Sequence, residues 1–204
     1  MAGEACPVCG HNSGKYALIQ GRCHRCQKKH PKISHLARVG EYTGALAELV
    51  KEFKFHRQSR LDNFLGGMLG HAIAGDLQLR DVDLFIPIPL HWRRKLARTY
   101  NQAELLTRSA AGVLGEQGRR VRLSHDLLRI RHTRPQSSLA ASHRIVNLHG
   151  AFAVRPDAGY AGRHLCLIDD VTTTGTTLRV AASALLDAGA ARVSAAVLAV
   201  AAND

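Results

Sequence analysis

The chain has 204 residues and a mass of 22.2 kDa, with 46% apolar and 22% charged residues, a globular composition with room for one core and roughly 30 to 40 further residues. No run approaches the roughly 20 apolar residues of a membrane helix, and MAGEACPVCG lacks the basic start and apolar stretch of a secretory signal, so membrane insertion and secretion are excluded and a cytoplasmic protein is expected. The net charge of +12 is unevenly spread: residues 1–35 carry +5, residues 91–144 carry +9 and the remainder −2, which points to a polyanionic partner, either a phosphate-rich small molecule or nucleic acid.

Four of the five cysteines fall within the first 26 residues, as Cys6-Pro-Val-Cys9 and Cys23-His-Arg-Cys26, thirteen residues apart. Paired C-x-x-C turns aim two sulfurs each at one point, the spacing of a four-thiolate tetrahedral zinc site, with Gly10, Gly14 and Gly21 supplying turns. Two disulfides, a redox pair and an iron–sulfur cluster are the alternatives; a reducing compartment weighs against the first and duplication against the second. Structural zinc held by Cys6, Cys9, Cys23 and Cys26 is therefore expected, the metal supplying folding energy that so short a segment lacks. His11 and His24 read as bystanders.

A basic linker around Lys28 to Ile33 precedes a region read as helical. The positions Leu61, Phe64, Leu65, Met68, Leu69, Ala72 and Ile73 form a helical stripe ended by Gly75-Asp76. Val82 to Pro89 reads as a strand stopped by two prolines. A helix is expected from Asn101-Gln102 to Gly115, and Ala151 to Val154 reads as a strand. His164 to Ile168 is an apolar run of the buried parallel kind, with Cys166 in the core. A helix through Leu178, Leu185 and Leu186 follows, then a closing strand from Val193 to Val200. Alternating strands and helices predict an α/β domain with a mainly parallel sheet. The expected division is a zinc ribbon over 1–34 and an α/β domain over 35–204.

The segment Asp169-Asp170-Val-Thr-Thr-Thr-Gly175-Thr-Thr177 carries the chemistry. It is read as the end of a buried strand, two carboxylates and a hydroxyl-rich turn opening a helix. Unpaired amides and the dipole at a helix start favour an anion, and Gly175 lets it approach closely. Two acids beside a phosphate cup are repulsive unless sugar hydroxyls and Mg²⁺ satisfy them. The ligand implied is a ribose 5-phosphate with vicinal hydroxyls. The absence of a Lys-Ser/Thr ending argues against a Walker-type loop.

This segment resembles the phosphoribosyl pyrophosphate (PRPP) signature of type I phosphoribosyltransferases. The resemblance implies that Asp169 and Asp170 hold the ribose hydroxyls as the catalytic pair, and that Thr173, Thr174, Gly175, Thr176 and Thr177 hold the 5-phosphate. It also implies a pyrophosphate loop over Pro87 to Arg94, with Leu90, His91, Arg93 and Arg94 in contact. The whole chain is similar to the ComF family, in which a four-cysteine segment precedes a phosphoribosyltransferase domain. The carrying blocks are Pro87-Ile-Pro-Leu-His91, Arg98-Thr-Tyr-Asn-Gln102, the series from Arg129 and Arg131 through Thr133, Gln136 and Arg144 to Phe152, and Phe53-Lys54-Phe55. Thr99-Tyr100 departs from the family's Gly-Phe pair.

By that resemblance a nitrogen nucleophile attacks the anomeric carbon as Mg-pyrophosphate leaves, with catalysis mainly by charge stabilisation and positioning. The block Arg129 to Arg144 is expected to be a loop that closes over pyrophosphate, with Arg131 and Arg134 as the closing residues. No general base stands out, and the acceptor is not legible. Implied partners are PRPP with Mg²⁺, single-stranded DNA and a competence helicase, since ComF-like proteins are associated with DNA uptake. The rival reading is a non-catalytic module that senses PRPP and binds DNA or a helicase. Neutralising Arg22, Arg25, Lys28 and Lys29 would separate the two, although stacking aromatics are few: Tyr16, Trp92 and Tyr100.

Overall fold

The computed structural model describes residues 5–14, 17–27, 31–55, 59–90, 100–131 and 150–202. Two short elements, β1 (Leu18–Ile19) and β2 (Arg22–Cys23), form an antiparallel hairpin that leads into the single turn α1 (His24–Gln27). Gln20 and Gly21 turn the hairpin with φ of 49° and 71°, the paired left-handed conformations that match strand twist. Gly10 also takes a left-handed φ of 71°, and the Gly14 carbonyl accepts from Ala17 N at 2.8 Å to close a further turn.

The central sheet is built from β3 (Leu36–Glu41), β4 (Leu84–Pro87), β5 (Arg122–Leu123), β8 (His164–Thr172) and β9 (Arg192–Val200), in the order β3-β9-β8-β4-β5. All of its pairings are parallel. A separate antiparallel ribbon joins β6 (Leu127–Arg129) to β7 (Phe152–Val154). The long helices are α2 (Gly44–Phe55), α3 (Ser59–Ala74), α4 (Gln102–Glu116) and α5 (Thr176–Asp187).

Period-two alternation divides the core between the sheet's two faces. Leu165, Leu167, Ala195 and Val197 pack under α5 through Leu178, Ala181 and Leu185. Cys166, Ile168, Ala196 and Leu198 face α2, α3 and α4 through Val50, Phe53, Leu65, Leu69 and Leu106. Cys166 is fully buried there, and burial pushes its thiol pKa up, away from reactivity. Helices on both faces of a parallel sheet make this the α/β architecture expected of a type I phosphoribosyltransferase, preceded by a small four-cysteine ribbon.

Three details differ from the sequence reading. The region before Leu61 contains the edge strand β3, which pairs along β9 from Leu36 to Glu41 before α2 begins. Of the expected α3 stripe, Leu65, Leu69 and Ile73 are fully buried and Leu61 and Met68 pack against the same core, whereas Phe64 is 56% exposed. The strand β4 is shorter than Val82–Pro89, although Ile88 N still donates to Ile168 O at 2.9 Å.

Helices α3 and α4 cross closely because α3 presents glycine at the contact. A Cβ on Gly66 would lie 2.3 Å from Ser109 Cβ, and one on Gly70 would lie 2.8 Å from Val113 Cβ and 3.0 Å from the Ala110 carbonyl. The start of α4 is fixed by Asn101. Its side-chain oxygen accepts from Ala103 N at 3.2 Å and its amide donates to Ile88 O at 3.1 Å, tying the helix to the end of β4.

Candidate functional site

From β4 the chain passes through α4 to β5 on one side, and from β8 it passes through α5 to β9 on the other. The two connections diverge, which leaves a crevice outside the carboxyl ends of β4 and β8, the usual place for a ligand in an open parallel sheet. Residues 88–90 follow β4 into this crevice, with Leu90 half-buried. His91, Arg93 and Arg94 lie outside the described residues.

The acidic pair does not follow a finished strand, as the sequence reading had it. β8 runs on through Asp169 and Asp170 to Thr172, pairing with β9 as far as Thr172↔Val200, and only Thr173 to Gly175 form the turn. The acids are therefore held by the sheet itself. Each carboxylate accepts from the next backbone amide: Asp169 from Asp170 N at 2.9 Å and Asp170 from Val171 N at 2.6 Å.

Asp170 is 3.2 Å from Lys54 Nζ in the last turn of α2, with both side chains largely buried. Burial pushes the Asp169 carboxyl up to about 7, and the neighbouring Asp170 charge adds to this. The Asp170 amide and the charges of Lys54 and Arg129 act in the opposite direction. Arg129 sits at the end of β6 with its guanidinium 5.5 Å from the centre of the Phe152 ring. Sequence reasoning named Lys54 and Arg129 only as parts of family blocks. A lysine in the last turn of an amphipathic helix carries no local sign of its distant carboxylate partner.

Gly175 caps α5 at φ 69° and ψ 8°, and as a glycine it brings no side-chain cap bond of its own. The first amides of a twelve-residue helix thus open onto the turn that follows the acids. Thr174 and Thr176 hydroxyls are 2.8 Å apart, and Thr176 is buried. Thr173 and Thr177 complete the same turn and first helical residues, so the acid pair and the hydroxyl cluster are brought together.

Arg131 is exposed, and the position of a Cβ on Gly150 would be 3.7 Å from its guanidinium carbon. The β6–β7 ladder closes with Ile130 N donating to Ala151 O at 2.9 Å. Arg134 lies outside the described residues.

The four N-terminal sulfurs converge as their spacing predicts. Cys6, Cys9, Cys23 and Cys26 each offer Sγ within 4.8 Å of the others, and Cys9 and Cys23 Sγ are 3.6 Å apart. A tetrahedral site with sulfur at about 2.3 Å from its ion has sulfurs about 3.8 Å apart, so the set fits a thiophilic cation. Burial and the crowding of other sulfurs push the Cys9 thiol up to about 12 and Cys26 higher still. Cys6 is also opposed by burial, yet amide donation from Cys23, Val8 and Cys9 outweighs it and brings it to about 7. Cys6 is thus the thiol that most readily gives a thiolate, and a bound cation would compensate the charge that Cys9 and Cys26 resist taking on. Among the described residues no histidine joins this cluster.

Comparison with known proteins agrees with this geometry. The model of the phosphoribosyl transferase domain matches residues 107–204, from within α4 through the acid–threonine turn to the C-terminal strand. Competence protein F of Haemophilus influenzae is 32% identical over 176 residues, covering 84% of this chain and 75% of that protein. DNA utilization protein YhgH of Salmonella typhi is 35% identical, covering 92% and 80%, and competence protein ComFC of Bacillus subtilis is 29% identical, covering 94% and 75%. Among solved structures, the glutamine PRPP amidotransferase of B. subtilis, complexed with ADP and GMP, aligns at 14% identity and a TM-score of 0.45, over 72% of this chain and 30% of that one. With a phosphoribosyl transferase domain match behind its four-cysteine segment, and with 32% and 35% identity to competence protein F and YhgH over most of its length, the chain belongs to the ComF family of competence proteins.

Proposed function

We propose that the chain binds Mg·PRPP in the crevice between β4 and β8 and serves DNA uptake or use, as the names of its relatives suggest for them. The observation that carries this reading is the sequence of parts at the end of β8: two strand-held carboxylates, then four residues, then a left-handed glycine that caps the start of a helix. Vicinal ribose hydroxyls suit Asp169 and Asp170, and the 5-phosphate suits the amides and hydroxyls of Thr173 to Thr177. Mg²⁺, when bound, neutralises the pyrophosphate and the acids beside it. Leu90, His91, Arg93 and Arg94 are the proposed pyrophosphate contacts, and Arg131 and Arg134 the residues of the closing segment. Lys54 holds Asp170 in place, and Arg129 adds positive charge near Asp169.

In turnover, the bond from the anomeric carbon to pyrophosphate breaks as a nitrogen of the acceptor bonds to that carbon, and the acceptor proton leaves with pyrophosphate or to water. The chain's residues bind, orient and screen charge in this scheme. Zinc on Cys6, Cys9, Cys23 and Cys26 is proposed as structural, and the division into 1–34 and 35–204 as the domain plan.

A second reading keeps the PRPP site without turnover and gives the ribbon to single-stranded DNA or a helicase. The charge of +5 over residues 1–35 favours it. Phosphorus NMR of PRPP and Mg²⁺ with metal-loaded protein, pooled nucleobases and a small-molecule extract decides between them. New pyrophosphate above the protein-free control supports the transferase. Broadened PRPP signals without turnover support the sensor, and unperturbed PRPP overturns both.

A further inference from the structure

A cleft of about 420 Å³ lies between the four-cysteine ribbon and the carboxyl ends of β3 and β9, with His11, Asn12, Arg25, Arg38, Glu41 and Val200 among its lining residues. We propose that this cleft is a second anion site, which holds the phosphate group of a small phosphomonoester on Arg38 and Arg25. The proposal is independent of the PRPP reading, because it uses neither the acids of β8 nor the threonine turn. β3 stands two strands from β8, which separates the strand ends by about 10 Å.

Arg38 is set for the task by its neighbours. Its stem lies along Gly10, where an added Cβ would be 3.6 Å from Arg38 Cδ. Its Nη2 donates to Asn12 Oδ1, and Asn12 Nδ2 donates in turn to Glu41 Oε1. The asparagine thus fixes the guanidinium and engages the carboxylate that lines the cleft. Arg38 Nη1 is buried and has no acceptor among the described residues. A buried cationic N–H without an acceptor is unfavourable, and an anionic oxygen relieves it with a charge-assisted hydrogen bond.

The cations converge here. Arg25 lines the same cleft as Arg38, so two guanidinium-bearing side chains border one space. The sulfur cluster is not what Arg38 serves, since its bond goes to Asn12. The cleft volume is that of a small-metabolite site, whereas a nucleic-acid strand is tracked by an extended groove. These features favour a terminal phosphate over a phosphodiester chain.

The test is a titration of the metal-loaded full chain, followed by the Arg38 side-chain ¹⁵N–H resonance and the Gly10 and Asn12 amides. The probes are inorganic phosphate, phenyl phosphate and dimethyl phosphate, with chloride at matched ionic strength. Saturable shifts with phosphate and phenyl phosphate are expected, with dimethyl phosphate and chloride inert. Arg38→Met should weaken the amide response at least about tenfold, as for loss of one charge-assisted bond, while metal content and melting show that it is folded. Arg38→Lys, which keeps charge and stem but not the fork, should bind between the two. Asp169→Asn should leave the response unchanged. Linear shifts shared with chloride, equal response to dimethyl phosphate, or loss of the response in Asp169→Asn would each overturn the assignment.

Discussion

Asp169 shows at the scale of one residue how a buried acid is held at the expense of the fold. Its carboxyl titrates near 7 in the folded chain, raised by burial and by Asp170, against an ordinary value of 3.8. Between those pH values the native chain keeps a proton that the unfolded chain releases, so stability falls as pH rises from about 4 to about 7 and then levels off. Asp169→Asn removes that penalty. At pH 8 the ligand-free variant should be more stable than the parent by about 1–2 kcal/mol, a figure reduced for solvent screening, and the two should converge near pH 4. PRPP affinity should fall more than about tenfold in the same variant. Denaturant melts at the two pH values, with PRPP titration, check both; equal stability at pH 8 would show that the acid is not strained in the apo fold. Lys54 acts on the same pair from α2. In Lys54→Met the Asp169 carboxyl should titrate higher still, because a charge that favours ionisation is gone, and ¹³C carboxyl NMR would follow the midpoint.

At the scale of elements, neighbouring glycines of α3 make opposite predictions. Gly67 has open space where a Cβ would go, while Gly70 has Val113 Cβ at 2.8 Å and the Ala110 carbonyl at 3.0 Å. Gly67→Ala should therefore stabilise by about 0.5–1 kcal/mol through backbone entropy alone. Gly70→Ala must push α4 away and should destabilise by about 1–3 kcal/mol. Thermal melts of the two variants decide it, and a destabilising Gly67→Ala would mean that the exposed face of α3 has a partner. The same elements show what was legible beforehand. Runs such as Leu165 to Ile168 and Val193 to Val200 are buried on both faces, and their unbroken apolar character gave them away. β3 reads Leu-Ala-Arg-Val-Gly-Glu and did not stand out, because an edge strand covered by the polar ribbon carries Arg38 and Glu41 for contacts made across the chain. β5 is two residues long and basic, too short for any period. The acids of β8 looked like a strand end, yet β9 continues to pair beside them, and no local pattern reports a neighbour's length. The acid–threonine turn and the cysteine pairs were legible because their chemistry is local. Lys54 and Arg129 reach the site only through tertiary packing.

Across the whole molecule, the ribbon and the sheet share a boundary without sharing a core. The ribbon buries Cys6, Val8 and Cys26, too little apolar surface to fold unaided. It nevertheless covers the sheet edge, with Gly10 against Leu36 and Val200 and with Leu36 N donating to Pro7 O at 2.7 Å. The sheet has its own ties beneath this contact: Ser34 N donates to Val193 O at 2.8 Å and Ala195 N to His35 O at 2.9 Å. Removing the metal with a chelator should therefore unfold the ribbon and leave the sheet standing. Hydrogen exchange should show amides of residues 5–27 and of Leu36 losing protection, with β8 and β9 protected as before and PRPP binding retained. Ribbon amides that stay protected would mean that packing against Leu36 and Val200 holds the ribbon without a metal. Loss of protection throughout β8 and β9 would mean that the ribbon completes the core of the α/β domain, and that a folding boundary near residue 34 does not exist. The bonds of Ser34 and His35 to β9 argue for the first outcome, because they anchor the start of β3 on the sheet side of that boundary.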